Sequence, residues 1–241
     1  MNLVSFVIPS YNEQENIIRL SNILTDILKK YKNIEVIIVD NGSTDKTSKI
    51  LKKHKLFKKK KFKLKKIKKN LGYGHGIISG VNLASGKIIA WFHADLQTNP
   101  HDVVKIINKN SKILLNQKVL LSGKRINRSI FDSLFTNLMA KIINAVFKVD
   151  FNDINGQPKI FNKKFKKYLK DSPLDFSLDL FLLLIGHKNN YKIKQVPINW
   201  GQRYKGVAKG GGNIFGKIKL IMRTLNYIVK IKKKFNGNNN S

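Results

Sequence analysis

The sequence predicts an α/β protein with a mainly parallel sheet covered by helices on both faces. Short apolar runs with the length and composition of buried strands occur at 3–8, 34–39, 87–92 and, more weakly, 118–121. Stretches with helical periodicity alternate with them, at 13–30, 45–54, 76–84 and 101–115. Continuous apolar strands that alternate with helices are typical of doubly wound parallel sheets. In such sheets a ligand binds beyond the carboxyl ends of the strands.

The composition bounds the class of protein but does not choose its partner. The chain has 241 residues, of which 42% are hydrophobic, so it can form a real core. Its 47 Lys and Arg against 14 Asp and Glu give a net charge of +33. Such an excess indicates nucleic acid, an anionic membrane or an anionic substrate as a partner. Only five of the 47 are arginine, and a general bias toward lysine would give the same total.

Several classes of protein are excluded by what the sequence lacks. It has no cysteine, which rules out disulfides, thiolate metal sites and a thiol nucleophile. The first strand-like run begins at residue 3 without a basic leader, and no apolar stretch reaches about 18 residues. We therefore expect a soluble or peripheral cytoplasmic protein without a signal peptide or a transmembrane helix.

The pattern changes after residue 126. A wide apolar stripe at helical spacing covers 130–147, and 151–200 has a mixed α+β pattern. A glycine-rich basic loop at 201–212 precedes a basic amphipathic helix at about 214–235. The polar residues 236–241 are expected to be a disordered tail.

Four polar motifs lie in the loops that follow the predicted strands. They are Pro-Ser-Tyr-Asn-Glu at 9–13, Asp-Asn-Gly-Ser-Thr-Asp at 40–45, a glycine-rich loop at 70–76 that includes Gly72 and Gly74, and His-Ala-Asp-Leu-Gln at 93–97. Each of the first two, taken alone, is also typical of an ordinary turn before a capped helix. The glycine-rich loop suits close approach of a ligand to the backbone.

The last motif contains candidate metal ligands. If the segment is extended, His93, Asp95 and Gln97 lie on one side of it. A carboxylate, an amide oxygen and an imidazole suit a divalent cation, Mg²⁺ or Mn²⁺, that is shared with phosphate groups.

In this order and spacing the four motifs resemble those of the family 2 glycosyltransferases with the GT-A nucleotide-sugar fold. The likeness is greatest to the polyprenyl-phosphate synthases of the dolichyl-phosphate mannose or glucose type, and it covers residues 3–210. It implies that a nucleoside-diphosphate sugar, linked to UDP or GDP, binds over the strand ends. The residues that it assigns to this donor are Pro9, Tyr11, Glu13, Asp40, Gly72, Gly74, His93 and Asp95.

Within that set the resemblance gives individual roles. Asp40 matches the carboxylate that recognises the base, Asp95 the metal-binding carboxylate of the Asp-x-Asp motif, and Gln97 a further ligand on the metal side. His93 stands where the family has the first Asp of that motif, which leaves the site one negative charge short. A neutral imidazole can still bind Mn²⁺ or donate to a phosphate, so we expect activity with an altered metal preference. The alternative is a degenerate site that binds nucleotide without turnover.

The acceptor side is also assigned by resemblance. Arg125 and Arg128 match arginines near the acceptor phosphate, and Arg203 and Lys209 match a late loop that closes over the phosphates. The segment 153–161 resembles an Asp-x-x-x-Gly-x-Lys-x-Phe element behind the transferred sugar. Gln157 and Pro158 depart from the Gly-Phe-Lys pattern of close relatives, so the identity of the sugar stays open.

The predicted reaction is inverting transfer of a sugar to a polyprenyl-phosphate-type lipid. A phosphate monoester has its second pKa near ~6, so such an acceptor is largely ionised at neutral pH and needs little help from a base. An alcohol acceptor would need a positioned carboxylate, for which Asp153 and Asp179 are candidates. Asp95 is the third predicted catalytic residue.

The predicted domain organisation follows from these roles. A GT-A domain at 1–212 is divided into a nucleotide-sugar half, 1–125, and an acceptor half, 126–212. The amphipathic helix at 213–235 has the profile of an interfacial helix that would bring the site to an anionic membrane surface on its inner face.

Two other functions stay open at this point. One is transfer to a glycan or another alcohol. The other is non-enzymatic binding of nucleic acid or anionic surfaces, for which the best evidence is that 13 of the 21 residues at 49–69 are lysine. These lysines flank apolar positions, as on the exposed side of a helix and an edge strand, and no nucleic-acid motif is visible. We therefore expect no nucleic-acid partner.

Overall fold

A computed structural model describes residues 3–202 and 214–236 of the chain. They form two compact units. The first contains the described residues up to Asn127 and those at 155–202. The second contains Arg128–Ile154 and the C-terminal helix at 214–236.

A seven-stranded sheet is the centre of the first unit. Its strands are β1 (Val4–Ser10), β2 (Ile34–Asn41), β3 (Phe62–Ile67), β4 (Ile88–Trp91), β5 (Val119–Ile126), β6 (Lys159–Asn162) and β7 (Lys192–Asn199). Their order is β3-β2-β1-β4-β6-β5-β7. All pairings are parallel except those of β6, which is antiparallel to both β4 and β5. The predicted mainly parallel α/β sheet is confirmed.

Six of the seven α-helices of the described ranges connect strands, and the seventh follows the last strand. They are α1 (Ile17–Lys30), α2 (Thr47–Lys53), α3 (Tyr73–Leu83), α4 (Pro100–Asn116), α5 (Ile130–Phe147), α6 (Leu178–Lys188) and α7 (Ile214–Asn236), with short 3₁₀ helices at Lys55–Lys58 and Lys163–Leu169. Two of the first-unit helices show why both faces of the sheet are covered. Leu20 and Leu24 of α1 join the core formed with alternate residues of β1 and β2. On the other face α3 lies so close that a Cβ at Gly80 would be 2.5 Å from Val7.

The lysine-rich segment forms the edge of this sheet, as its pattern predicts. β3 pairs with β2 on one side only. Its lysines Lys63, Lys65 and Lys66 are exposed, whereas Phe62 and Ile67 are buried. Exposed lysines on an edge strand oppose edge-to-edge pairing with other chains.

The two units and the two predicted halves have different bounds. Residues 155–202 lie in the first unit, because β6 and β7 pair with β4 and β5 in the central sheet. Residues 128–154 lie in the second unit. The predicted roles of the two halves stay predictions.

The second unit contains the two amphipathic helices. α5 contacts α7, and the side chain of Asn144 closes the turn after α5 through both backbone polar groups of Phe151, at 2.9 and 3.0 Å. Leu134 and Leu138 of α5 and Met222 of α7 are exposed. In the described part of the chain no helix combines the length and the hydropathy needed to cross a bilayer.

Candidate active site

The first two polar loops meet at the carboxyl ends of β1 and β2. Ser10 is the register partner of Asp40. Asn12 has a left-handed φ of 52° and is not a helix cap. Its backbone N–H donates to Ser43 Oγ at 3.0 Å, and its side-chain oxygen accepts from the N–H of Thr44 at 2.8 Å. Hydrogen bonds from Asn12 therefore join the motifs at 9–13 and 40–45 to each other.

Glu13 holds the first loop in place through hydrogen bonds to Thr47 and Asn16. It is buried, its N–H donates to Thr47 Oγ1 at 2.9 Å, and its carboxylate accepts from the Asn16 amide at 2.6 Å. Pro9 and Tyr11 are partly exposed in the same loop. The helix predicted from residue 13 starts only at Ile17 because 13–16 form this turn.

Asp40 is a buried carboxylate with one unused oxygen. The residue is 0% exposed, and its Oδ1 accepts from the N–H of Ser43 at 2.9 Å. Within residues 3–202 and 214–236, Oδ2 has no hydrogen-bond partner. A buried acceptor without a donor costs free energy. A ligand N–H that reached this oxygen would satisfy it.

The two glycines of the glycine-rich loop at 72 and 74 lie against another segment of the chain. Gly72 has a φ of 117°, and a Cβ there would lie 2.3 Å from the carbonyl oxygen of Leu174. A Cβ at Gly74 would lie 2.2 Å from the carbonyl oxygen of Pro173. These two glycines permit close packing of the chain on itself, and their contact with a donor stays a prediction.

The metal motif forms a turn instead of the expected extended segment. Leu96 has a left-handed φ of 64°, and the N–H of Gln97 donates to Asp95 Oδ1 at 3.1 Å. The turn still brings the three candidate ligands together. His93 Nδ1 lies 3.9 Å from Asp95 Oδ2, with the His93 side chain 29% exposed and that of Asp95 4% exposed.

The side-chain amide of Gln97 is held between two partners. Its nitrogen donates to Asp95 Oδ2 at 3.1 Å and its oxygen accepts from Trp200 Nε1 at 3.0 Å. These contacts keep Gln97 next to Asp95.

This donor set fits a divalent cation that also binds phosphates. Asp95, Gln97 and His93 offer a carboxylate, a side-chain amide and an imidazole, and their oxygen and nitrogen ligands are types that Mg²⁺ and Mn²⁺ accept. No cluster of three His, Asp or Glu side chains with metal-binding geometry occurs in the described ranges. The protein would therefore supply Asp95, Gln97 and His93, and the diphosphate of a donor would complete the coordination.

A second group of side chains surrounds Tyr73, directly behind His93. The Tyr73 hydroxyl lies 2.9 Å from His93 Nε2, and it donates to Asp179 Oδ2 at 3.2 Å. The Gln157 amide donates to the Tyr73 hydroxyl at 3.2 Å and to Asp179 Oδ1 at 3.1 Å. Burial of the hydroxyl, then the charges of Asp179 and Asp95, raise the pKa of Tyr73 well above its usual 10.

Asp179 therefore lies next to Tyr73 and Gln157, and both of its oxygens already accept hydrogen bonds from them. The geometry favours a positioning role, and its predicted role as a base stays a prediction. Phe176 stacks on the Tyr73 ring, with centroids 4.8 Å apart and planes 9° apart. Tyr73, Phe176 and Trp200 were not predicted from the sequence, although Tyr73 lies inside the predicted glycine-rich loop.

The predicted acceptor residues are distributed over different parts of the chain. The Arg125 guanidinium lies over the Trp200 ring, 5.1 Å from its centroid, next to the Gln97 amide. Arg128 and Asp153 belong to the second unit, where Arg128 Nη1 donates to Thr136 Oγ1 at 2.8 Å. Arg203 and Lys209 lie outside the described residues. The roles of all four stay predictions.

Similar proteins agree with the resemblance found in the motifs. The chain is 28% identical over 231 residues to a dolichol-phosphate mannosyltransferase from Pyrococcus furiosus, covering 93% of this chain and 64% of the relative. It is 32% identical over 208 residues to an undecaprenyl-phosphate 4-deoxy-4-formamido-L-arabinose transferase from Photorhabdus laumondii, covering 86% and 62%. The chain thus spans less than two thirds of the length of either relative.

Solved structures share the fold at low sequence identity. A glucosyl-3-phosphoglycerate synthase from Mycobacterium tuberculosis, in complex with Mn²⁺, UDP and glucosyl-3-phosphoglycerate, superposes with a TM-score of 0.72 at 16% identity. The match covers 96% of this chain and 80% of that one. A mannosyltransferase from Pyrobaculum calidifontis, in complex with GDP-Man and Mn²⁺, gives 0.64 at 17% identity over 94% and 64%. These likenesses confirm the predicted GT-A fold.

The family itself is shown by a match that covers just over half of the chain. The model described as glycosyl transferase family 2 matches residues 5–129, which contain all four polar motifs. The family predicted from those motifs is confirmed, and the chain belongs to glycosyl transferase family 2.

Proposed function

We propose that this chain transfers a sugar, with inversion, from a UDP- or GDP-linked donor to a polyprenyl-phosphate-type lipid acceptor. The observation that carries the proposal is the convergence of His93, Asp95 and Gln97 at the carboxyl edge of the sheet, on the same edge as Asp40. The printed functions of the two relatives, both polyprenyl-phosphate sugar transferases, support the class of acceptor.

In this proposal the first two loops hold the nucleoside. The unused oxygen of Asp40 accepts a hydrogen bond from the base, and Pro9 and Tyr11 line the loop that is joined to it through Asn12. Glu13 keeps that loop in place through Thr47 and Asn16. Gly72 and Gly74 shape the neighbouring loop.

The side chains of Asp95, Gln97 and His93 would hold Mg²⁺ or Mn²⁺, whose charge would offset the negative charge that develops on the leaving diphosphate. The solved neighbours that contain Mn²⁺ support this choice of metal. Asp95 is the central ligand because its Oδ2 faces both His93 and Gln97.

The acceptor enters beside Arg125. An ionised phosphate oxygen forms the new bond to the anomeric carbon while the bond from that carbon to the donor phosphate breaks, and the nucleoside diphosphate leaves. A phosphate monoester needs no base for this attack. Arg125, held against Trp200, would orient the phosphate. The resemblance assigns the same role to Arg128, Arg203 and Lys209. For an alcohol acceptor, Asp153 or Asp179 would have to accept the proton.

A lipid acceptor lies in a membrane, so the protein would have to bind the membrane surface to reach it. α7 has lysines exposed at Lys230 and Lys232, and the apolar side chains of Ile218, Met222 and Val229 are exposed on the same helix. A basic helix with exposed apolar side chains is typical of helices that lie on anionic bilayers. We therefore propose a peripheral location on the inner face of the membrane.

The direct test is detection of product. Purified protein is incubated with Mn²⁺, a panel of UDP- and GDP-sugars, and either polyprenyl phosphate or a glycan acceptor, and the products are identified by mass spectrometry. A lipid-phosphate monosaccharide supports the proposal, and a glycosylated alcohol in its place overturns the acceptor class.

Binding to nucleic acid gives a separate test. Tight, steeply salt-dependent binding of RNA or DNA in a filter assay, without any sugar transfer, would replace the enzymatic proposal with that of a basic binding protein.

A further inference from the structure

Two departures from the family pattern meet at one hydroxyl group. His93 replaces the first aspartate of the Asp-x-Asp motif, and Gln157 is unusual in the segment behind the sugar. The two residues are 64 positions apart, yet both contact the Tyr73 hydroxyl, at 2.9 and 3.2 Å. Asp179 is the third partner of that hydroxyl, at 3.2 Å.

The single proton of the hydroxyl can be assigned from its partners. Tyr73 donates to Asp179 Oδ2 at 3.2 Å, and this contact uses the one hydrogen of its hydroxyl group. The Gln157 amide nitrogen donates to both Asp179 and Tyr73.

The tautomer of His93 follows from this assignment. Since the Tyr73 proton goes to Asp179, the 2.9 Å contact with His93 requires Nε2 to carry a hydrogen and to donate it to the Tyr73 oxygen. A neutral imidazole protonated on Nε2 has a lone pair on Nδ1. Nδ1 is the nitrogen that lies 3.9 Å from Asp95 Oδ2, on the metal side.

We propose that Tyr73, fixed by Asp179 and Gln157, is a positioning residue that holds His93 in the tautomer whose Nδ1 can bind the cation. This inference rests on the proposed function and adds the means by which an imidazole works where the family has a carboxylate. Metal-binding histidines commonly donate their second nitrogen to such a partner, and losing the partner weakens metal affinity by about 10–100-fold.

The first test observes the tautomer without metal or substrate. Histidine side-chain ¹H–¹⁵N correlation spectra of the full chain are recorded at pH 8, where imidazoles are ordinarily neutral. His93→Asn identifies the His93 signals among the five histidines. We expect a proton on Nε2 that exchanges slowly with water, and we expect Tyr73→Phe to make it exchange too fast to be observed. A proton on Nδ1, or a spectrum unchanged in Tyr73→Phe, overturns the proposal.

The second test measures affinity for Mn²⁺ by electron paramagnetic resonance, in the presence of UDP or GDP. Tyr73→Phe keeps the ring that stacks on Phe176, and we expect it to weaken Mn²⁺ binding by about 10–100-fold. Tyr191→Phe, which removes a hydroxyl from the buried aromatic cluster around Phe165, is the control and should bind Mn²⁺ as the wild type does.

A double-mutant cycle decides whether Tyr73 acts through His93. In a His93→Ala background, Tyr73→Phe should cost no further Mn²⁺ affinity. An equal loss in both backgrounds would show that Tyr73 acts by another route and would overturn the proposal. If the wild type binds neither nucleotide nor Mn²⁺, the proposed function fails, and the spectra still decide the Tyr73–His93 contact.

Discussion

The two ends of strand β2 each contain a buried carboxylate, and they differ in how it is satisfied. Glu35, near the amino end, accepts hydrogen bonds from the Ser5 and Ser85 hydroxyls at 2.6 and 2.7 Å and from Lys63 at 3.0 Å. Asp40, at the carboxyl end, is just as buried, but in the described structure its Oδ2 accepts none.

The difference separates a carboxylate that the protein satisfies from one that it leaves with an unpartnered oxygen. Burial opposes ionisation of Glu35, but hydrogen bonds from Ser5, Ser85 and Lys63 outweigh it and lower the pKa to about 2. That carboxylate stabilises the fold. For Asp40, and for Asp95 after β4, we propose a role in binding a ligand. Four variants test whether carboxylates at the two edges of the sheet have these different roles.

The largest expected effect is that of Asp95→Asn on turnover. The substitution keeps the size of the side chain and removes the only carboxylate in the predicted cation site, so we expect kcat to fall by roughly 10²–10³-fold. Steady-state kinetics at saturating Mn²⁺ measure it. Activity within a few-fold of the wild type would show that Asp95 does not bind the metal.

Next is Glu35→Gln, which should affect stability and leave donor binding unchanged. A shift of the Glu35 pKa from 4.5 to about 2 corresponds to at most about 3 kcal/mol of unfolding free energy. We expect urea unfolding at pH 7 to show a loss of about 2–3 kcal/mol. Unchanged stability would remove Glu35 from its structural role.

The same variant tests the pH dependence. Because the folded pKa of Glu35 is lowered, its stabilisation is present above pH 4.5 and is lost as the pH falls toward 2. Glu35→Gln should lack this part of the acid dependence, which a comparison of wild-type and variant unfolding at pH 5 and pH 3 measures.

Asp40→Asn should give the opposite result to Glu35→Gln. We expect donor affinity to fall about 10–150-fold, the value of a hydrogen bond to a charged group, while the unfolding free energy is unchanged or higher because a buried carboxylate oxygen without a donor is removed. Calorimetric titration and urea unfolding measure the two effects. A large loss of stability with normal donor binding would make Asp40 a structural residue like Glu35.

The smallest effect is expected for Trp200→Phe. It keeps an aromatic ring under Arg125 and removes the N–H that faces the Gln97 amide. Loss of one such hydrogen bond should change Mn²⁺ affinity by about 2–10-fold. An unchanged affinity would mean that Trp200 does not orient Gln97.

The sequence predicted the parts of the site that depend on local pattern. β1, β2 and β4 were predicted from their apolar runs. The roles of Asp40, at the end of β2, and Asp95, after β4, were assigned by resemblance and stay predictions. The antiparallel pairing of β6 was not predicted, because a strand of four residues, Lys159–Asn162, contains no information about its neighbours.

Contacts between distant residues could not be predicted. Tyr73 and Asp179 are 106 positions apart, and only the folded sheet brings α3 and the start of α6 together. Gly72 and Gly74 were predicted as positions where a ligand approaches the backbone. The structure shows the segment at 173–175 close to both, a contact between distant residues that periodicity cannot predict.

The most direct test of the central claim is binding of UDP and GDP to the wild-type chain by calorimetry, with and without Mn²⁺. We expect one nucleotide to bind at least about tenfold more tightly with Mn²⁺ present, because the cation would link its phosphates to Asp95. Equal affinity in both conditions, or no binding of either nucleotide at millimolar concentration, would contradict it.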